Sequence, residues 1–192
     1  MRWGIVGTGR VARLFAADLA HAAGARLAAV SSRVAARARA FAAGAGAPDA
    51  HAHEGAAALA ADPEVDIVYI ASINTAHPAD ALARIEAGKA VLCEKPLAIN
   101  AREAGLLVDA ARRRGVFLME GLWTRFFPAV RTAMDLLRSG AIGTPRAVTA
   151  DLCYPATFDP ANRLFDPAQG GGALLDVGIY PLALAFDLLG DG

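Results

Sequence analysis

Apolar positions fall into short runs separated by alanine-rich stretches through the first 120 residues or so. The runs 2–6, 26–31, 66–71, 90–93 and 116–119 are nearly continuous in hydrophobic character, as expected for strands covered on both faces. Helical segments with recognisable ends lie between them. Asn100 is a good N-cap for a helix over 101–114, Glu103 three residues later completes a capping box, and Gly115 is a good stop. A helix over about 79–87 ends likewise at Gly88. Strand and helix in alternation predict an α/β unit, a Rossmann-type doubly wound parallel sheet.

After Met119 the character changes. Residues 123–127 are aromatic, 128–139 read as a helix, and 146–154 read as a new strand. The domain boundary is therefore placed near Glu120, giving a cofactor-sized domain over 1–120 and a second domain over 121–192. One strand and two helices make a poor core. The second domain is expected to be the incomplete start of an α+β catalytic domain with a mostly antiparallel open sheet, cut short at Gly192.

Composition narrows the picture. The chain has 192 residues, 55% of them apolar, yet no uninterrupted apolar run approaches the roughly 18 residues of a membrane-spanning helix. Met1 and Arg2 lead straight into the first strand, leaving no room for a secretory leader. A soluble cytoplasmic protein is expected, with no membrane partner. The 19 basic and 19 acidic residues cancel, so no overall field favours nucleic acid. Arg112, Arg113 and Arg114 read as the basic last turn of a helix. Cys93 and Cys153 are far apart and lack a nearby Cys or His at ligand spacing, and His51 and His53, in an H-A-H run read as loop, suggest no metal partner. No metal site is expected.

The candidate chemistry begins directly after the first strand, where Gly7, Thr8, Gly9, Arg10, Val11 and Ala12 give G-x-G-x-x-A. Gly7 permits a tight turn, Gly9 lets the backbone approach a pyrophosphate, and Ala12 lets helix pack close to strand, while the helix amino end offers free N–H groups. At the end of the second strand an NAD-binding protein would carry an acidic residue for the ribose hydroxyls. Here the chain reads Ser31, Ser32, Arg33, with Arg37 four residues on. Hydroxyl and guanidinium donors suit a 2′-phosphate, which favours NADP(H) over NAD(H). The bland reading is a solvated basic turn.

Two further motifs carry a resemblance. Glu94, Lys95, Pro96 close a buried strand, and Gly170 to Gly172 lead into Asp176, Val177, Gly178, Ile179, Tyr180, Pro181. Together with 4–12, 72–77, 87–96, 119–128 and 139–143, they resemble the Gfo/Idh/MocA family over essentially the whole chain, nearest its dihydrodiol dehydrogenase and NADP-dependent D-xylose 1-dehydrogenase branch. The resemblance implies an NADP(H)-dependent oxidoreductase acting on a small sugar, at an aldose C1 hydroxyl, or on a cyclic trans-diol, with a homodimer in full-length relatives. It implies a catalytic Lys95 and matches Asp176 and Gly178 to a D-x-G-x-H motif in which Tyr180 replaces the usual His, a departure that weakens any inositol dehydrogenase reading. Ser72, Asn74 and His77 resemble the family's cofactor-flanking turn, although Ile73 stands for its proline and His77 serves equally as the opening of a helix. Trp123, Arg125 and Phe126 resemble its substrate-cleft segment, against the general tendency of such clusters to be core.

Read for chemistry, removal of a hydroxyl proton needs a base, and an ordinary Tyr, with a pKa of about 10, is too weakly ionised unless a cation helps it. Tyr180 is assigned as acid/base, Lys95 as its electrostatic partner and substrate donor, and Asp176 as orienter of the substrate hydroxyls or of Lys95. The exchange of roles between Lys95 and Tyr180 stays open. The alternative from another class is a cofactor-binding or sensing protein without turnover.

Overall fold

A computed structural model describes residues 1–190. Asp191 and Gly192, where the expected cut falls, lie outside the described residues. The chain divides into two compact units, Met1–Gly121 and Leu122–Gly192.

In the first unit six strands lie in the order β3-β2-β1-β4-β5-β6, and every neighbouring pair is parallel. They are β1 (Arg2–Val6), β2 (Arg26–Ser32), β3 (His51–Glu54), β4 (Ile67–Ile70), β5 (Ala90–Cys93) and β6 (Leu118–Glu120). Order and direction together make this the doubly wound Rossmann sheet that the sequence pattern predicts.

The continuous apolar runs feed two cores. Ile5, Val30 and Tyr69 point to one face, where α1 (Arg10–Leu19) and α2 (Ala35–Gly44) cover them through Ala12, Ala16, Ala38 and Phe41. Val6, Val68, Ile70 and Val91 point to the other, against α3 (Ala56–Ala60), α4 (His77–Glu86) and α5 (Ala101–Arg114), which contribute Leu59, Ala81, Ile85 and Leu107. Alternate residues of one strand thus enter different cores. Half of the capping box read in the sequence is present: the Asn100 side chain accepts from the Glu103 N–H at 3.0 Å, whereas Glu103 Oε2 is buried with no partner among the described residues, and Gly115 ends α5 at φ +64°.

Two expectations for this unit are corrected. Residues 51–54 form an edge strand, not a loop; the stretch carries no apolar run because none of its four side chains is buried. The last strand lies at Leu118–Glu120, two residues later than its apolar run, because Val116 and Phe117 complete the turn out of α5.

The second unit holds a 3₁₀ turn at Trp123–Phe126, α6 (Pro128–Arg138), a long irregular stretch, a 3₁₀ turn at Pro167–Gln169, a π-helical turn at Leu174–Gly178 and α7 (Ile179–Leu189). The strand expected at 146–154 does not form. Among the described residues of this unit there is no other strand to share a ladder with it, and an unpaired strand leaves its N–H and C=O groups to water. The helical run Pro167–Leu189 is 23 residues long and its most apolar 18 residues have a mean hydropathy of 1.6, enough by length and composition to cross a bilayer although no apolar run in it is uninterrupted over that length. It carries Asp176 and Asp187, each paired with an arginine, and such charges are costly in hydrocarbon.

Candidate functional site

The turn after β1 needs its glycines for different reasons. Gly7 sits at φ +99°, donates its N–H to Ser31 O at 3.0 Å, and would bring an added Cβ within 2.5 Å of Ala71 O. Gly9 has an ordinary φ of −75° and nothing within 4 Å of where a Cβ would lie. Its neighbourhood is open on the side a ligand would use. No side chain caps α1, so the N–H groups of Arg10 and Val11 are available to an anion beside Thr8. Ala12 is fully buried, as close helix-to-strand packing requires. Open space at Gly9 and an uncapped helix end fit a dinucleotide pyrophosphate.

A groove of about 640 Å³ lies between α1 and α2, lined by Thr8, Arg13, Arg37, Phe41 and neighbouring small residues. Arg37 therefore shares one concavity with Thr8. Arg33 and Ser32 follow on at the end of β2, Arg33 exposed and outside the groove lining. The Ser31 hydroxyl is buried and finds no partner among the described residues. Arg13 was not anticipated: it lies one residue past the glycine motif, where a basic residue on a helix surface carries no signal of its own.

At the carboxyl ends of β4 and β5 the side chains hold one another in place. Ser72 Oγ donates to Asp80 at 2.7 Å, and Asn74 opens a 3₁₀ turn that runs into α4. His77 is buried at the start of α4, with Nδ1 2.7 Å from Pro96 O and Nε2 3.2 Å from Ser72 O. It opens the helix and also ties the 72–77 turn to the E-K-P turn. Glu94 accepts from Tyr69 Oη at 2.5 Å, and Tyr69 stacks on Phe15 with ring centroids 3.8 Å apart. Glu120 accepts from the Leu97 N–H at 2.7 Å. Lys95 is half-buried between these anchored neighbours, and its peptide bond to Pro96 is cis. Burial, with help from Glu94, Glu120 and Asp80, pushes the Cys93 thiol far above its usual range, so it is inert.

In the second unit the π turn carries Asp176 and runs into α7, whose second residue is Tyr180. Pro181 sits in the first turn of α7 and cannot donate, and the wider π turn precedes it. Asp176 is buried; its Oδ2 accepts from Tyr154 Oη at 2.5 Å and its Oδ1 from Arg163 at 3.3 Å. The hydrogen bond to Asp176, seconded by burial and by that carboxylate's charge, raises the Tyr154 phenol, with Arg163 opposing. Tyr154 and Arg163 were not foreseen, since they lie 22 and 13 residues away along an irregular stretch.

Tyr180 Oη accepts from Trp123 Nε1 at 2.9 Å. Trp123 is 54% exposed and Phe126 50%, so these rings are not core, while Arg125 is held in a two-pronged pair with Asp187 at 2.8 and 2.9 Å. A smaller concavity of about 240 Å³ is lined by Arg125, Phe127, Leu152, Tyr180 and Asp187 among others. The close backbone approach of the triple glycine is to the chain itself: a Cβ on Gly171 would lie 2.8 Å from Arg163 O and from Asp166 N and O. Lys95 belongs to the first unit, Asp176 and Tyr180 to the second.

The profile described as "Oxidoreductase family, NAD-binding Rossmann fold" matches residues 1–122, and the "GFO/IDH/MocA C-terminal domain" matches residues 130–192. The chain belongs to the Gfo/Idh/MocA oxidoreductase family. Among its relatives, a D-xylose 1-dehydrogenase (NADP(+)) of Hypocrea jecorina is 37% identical over 98% of this chain and 53% of its own length. A trans-1,2-dihydrobenzene-1,2-diol dehydrogenase of Bos taurus is 41% identical over 95% of this chain and 54% of its own. The 3-ketoreductase KijD10 of Actinomadura kijaniata, solved with NADP and TDP-benzene, superposes with a TM-score of 0.86 at 32% identity, covering 98% of this chain and 57% of that one. The chain thus spans about half the length of the curated relatives it matches. Membership establishes an NAD(P)-binding Rossmann domain in the first unit.

Proposed function

We propose that this chain serves an NADP(H)-dependent oxidoreductase that exchanges a hydride between the nicotinamide and a sugar, at an aldose C1 hydroxyl, or a cyclic trans-diol. The observation that carries the cofactor choice is the groove uniting Thr8, Arg13 and Arg37 beside the uncapped end of α1, where β2 ends in Ser31 and Ser32, followed by Arg33, and not in a carboxylate. Hydroxyls and guanidinium groups donate to a 2′-phosphate, whereas an acidic residue would repel it. The names of the xylose and dihydrodiol dehydrogenases support the substrate class.

When bound, the cofactor would accept or return the hydride. The Gly9, Arg10 and Val11 backbone would hold its pyrophosphate, and Arg37 with Arg33 its 2′-phosphate. Ser72 and Asn74 would flank it at the ends of β4 and the following turn, with His77 keeping that turn against Pro96. Tyr180 Oη exchanges the hydroxyl proton; the Trp123 indole N–H that it accepts would steady negative charge on that oxygen as the proton leaves. Lys95 donates to the substrate oxygen. Asp176, which accepts from Tyr154 and Arg163, orients the wall that carries Tyr180. Arg125 positions that wall through Asp187, leaving Trp123 and Phe126 as apolar surface for the substrate.

The purified chain should bind NADPH more tightly than NADH and turn over NADP⁺ with at least one member of an aldose and trans-diol panel, with Lys95→Ala and Tyr180→Phe abolishing turnover but not binding. Binding without turnover beyond that of Lys95→Ala would favour the non-catalytic cofactor-binding reading instead.

A further inference from the structure

The edge strand missed in the sequence carries chemistry that the oxidoreductase reading leaves unused. His51 and His53 are two apart on β3, so both imidazoles stand on one face of the strand. The rings meet edge to face, with centroids 6.1 Å apart and planes at 89°. Both nitrogens aim at one atom: Asp62 Oδ2, in the turn after α3, lies 2.7 Å from His51 Nδ1 and 2.7 Å from His53 Nε2. This corrects the expectation that the histidines lack a partner of metal-ligand type. The signal was unreadable because Asp62 follows on a different element.

We propose that His51, His53 and Asp62 bind one divalent transition-metal ion of the zinc class, clamping the edge strand β3 to the turn between α3 and β4. The three ligand atoms lie within 4.8 Å of one another. Two imidazole nitrogens and one carboxylate oxygen make a borderline donor set that suits Zn²⁺, and Co²⁺ in its place, over Mg²⁺ or Ca²⁺. Metal bonds of about 2.0–2.2 Å at tetrahedral angles would set the ligand atoms roughly 3.3 Å apart, so the rings must withdraw a little from Oδ2, now at 2.7 Å, and close on each other from a spread of up to 4.8 Å. The His51 side chain is 51% exposed and free to do so, and its open side leaves a position for water.

The carboxylate is already fixed for the task. Its side chain is 2% exposed, and its other oxygen accepts the Glu64 N–H at 2.8 Å, the kind of outer hydrogen bond that orients a ligand. Lys89 Nζ is the nearby cation; it donates to Asp62 O at 2.8 Å and Val65 O at 2.7 Å, holding the turn from its backbone side. In binding, each imidazole turns its unprotonated nitrogen to the ion and carries its N–H on the other ring nitrogen, so the hydrogen bonds to Oδ2 are exchanged for metal bonds by a change of tautomer.

The test uses tag-free protein stripped with a chelator and titrated with ZnCl₂ by calorimetry, and with CoCl₂ by visible absorption. One equivalent of zinc should bind, Co²⁺ should give the intense bands of a tetrahedral or five-coordinate site, and zinc should raise the melting temperature as any ligand of the folded state does. His51→Ala, which removes an exposed side chain and should fold normally without metal, should weaken zinc by at least about tenfold, and His53→Ala by as much or more. Zinc binding unchanged in both variants would assign it to other groups, such as His21 or Cys153, and overturn the proposal; so would weak-field octahedral cobalt spectra or no thermal shift.

Discussion

Gly7 and Gly9 lie two residues apart in one motif, yet substitution by alanine should separate folding from binding. At Gly7 a Cβ must adopt φ +99° and meets Ala71 O at 2.5 Å, against 3.4 Å for ordinary contact. Ala71 cannot retreat freely, because its N–H is bound to Val6 O at 2.9 Å. Backbone strain of about 1–3 kcal/mol and overpacking of about 1–3 kcal/mol give a loss of roughly 2–6 kcal/mol for Gly7→Ala. At Gly9 the φ of −75° suits any residue and the space is empty, so Gly9→Ala should change stability by no more than about 1 kcal/mol. The same empty space is where a pyrophosphate must approach the backbone. Losing one or two hydrogen bonds to a charged group, at about 1.5–3 kcal/mol each, should weaken NADPH by about tenfold or more. Urea unfolding and NADPH fluorescence titration on both variants measure the two effects. If Gly9→Ala binds NADPH like the parent, or if Gly7→Ala is as stable as Gly9→Ala, the reading of this turn is wrong.

Three other outcomes are expected. Arg37→Ala should weaken NADPH by about 1–3 kcal/mol and leave NADH nearly unchanged, with Arg33→Ala similar or smaller because Arg33 stands outside the groove; equal losses for both cofactors in a binding titration would defeat the 2′-phosphate reading. Burial works against ionisation of Asp62, but hydrogen bonds from His53, the Glu64 backbone and His51 outweigh it and lower its pKa from 3.8 to about 2. A depressed carboxyl stabilises the fold fully above its unfolded value and loses that contribution as pH falls through the folded one, so about 2 kcal/mol should disappear between roughly pH 4 and pH 2 in chelator-treated protein, and Asp62→Asn should not show that step in acid unfolding. Asn100→Ala should cost about 1 kcal/mol of stability by thermal unfolding, because the Glu103 N–H loses its acceptor.

What could be read in advance was whatever is specified by neighbours in the chain. The Gly7 turn, the Asn100 cap and the Gly115 stop are each decided within a few residues, and the buried strands β1, β2, β4 and β5 announce themselves by apolar runs that serve two cores at once. Strand β3 has no such run. Its sequence His-Ala-His-Glu alternates only between polar residues and one alanine, and its place is fixed by β2 pairing and by Asp62 across α3. The segment 146–154 fails in the opposite sense, with strand-like residues and no ladder among the described residues of its unit.

The candidate site follows the same division. Glu94, Lys95 and Pro96 are marked by their position at a strand end, but what holds them is distant: Tyr69 braces Glu94 through a phenol carried from the aromatic stack, and His77 reaches Pro96 from the head of α4. Asp176 was legible as a motif residue and was assigned to substrate hydroxyls or to Lys95. Its oxygens also accept from Tyr154 and Arg163, contributed by the irregular stretch that no periodicity describes. A buried carboxylate held in this way is a good anchor, because the Arg163 guanidinium offsets its charge and the Tyr154 phenol fixes its geometry. The physical consequence is that the wall bearing Tyr180 owes its shape to residues outside the motif, so substitutions at Tyr154 and Arg163 should register at Tyr180 before they register at the fold.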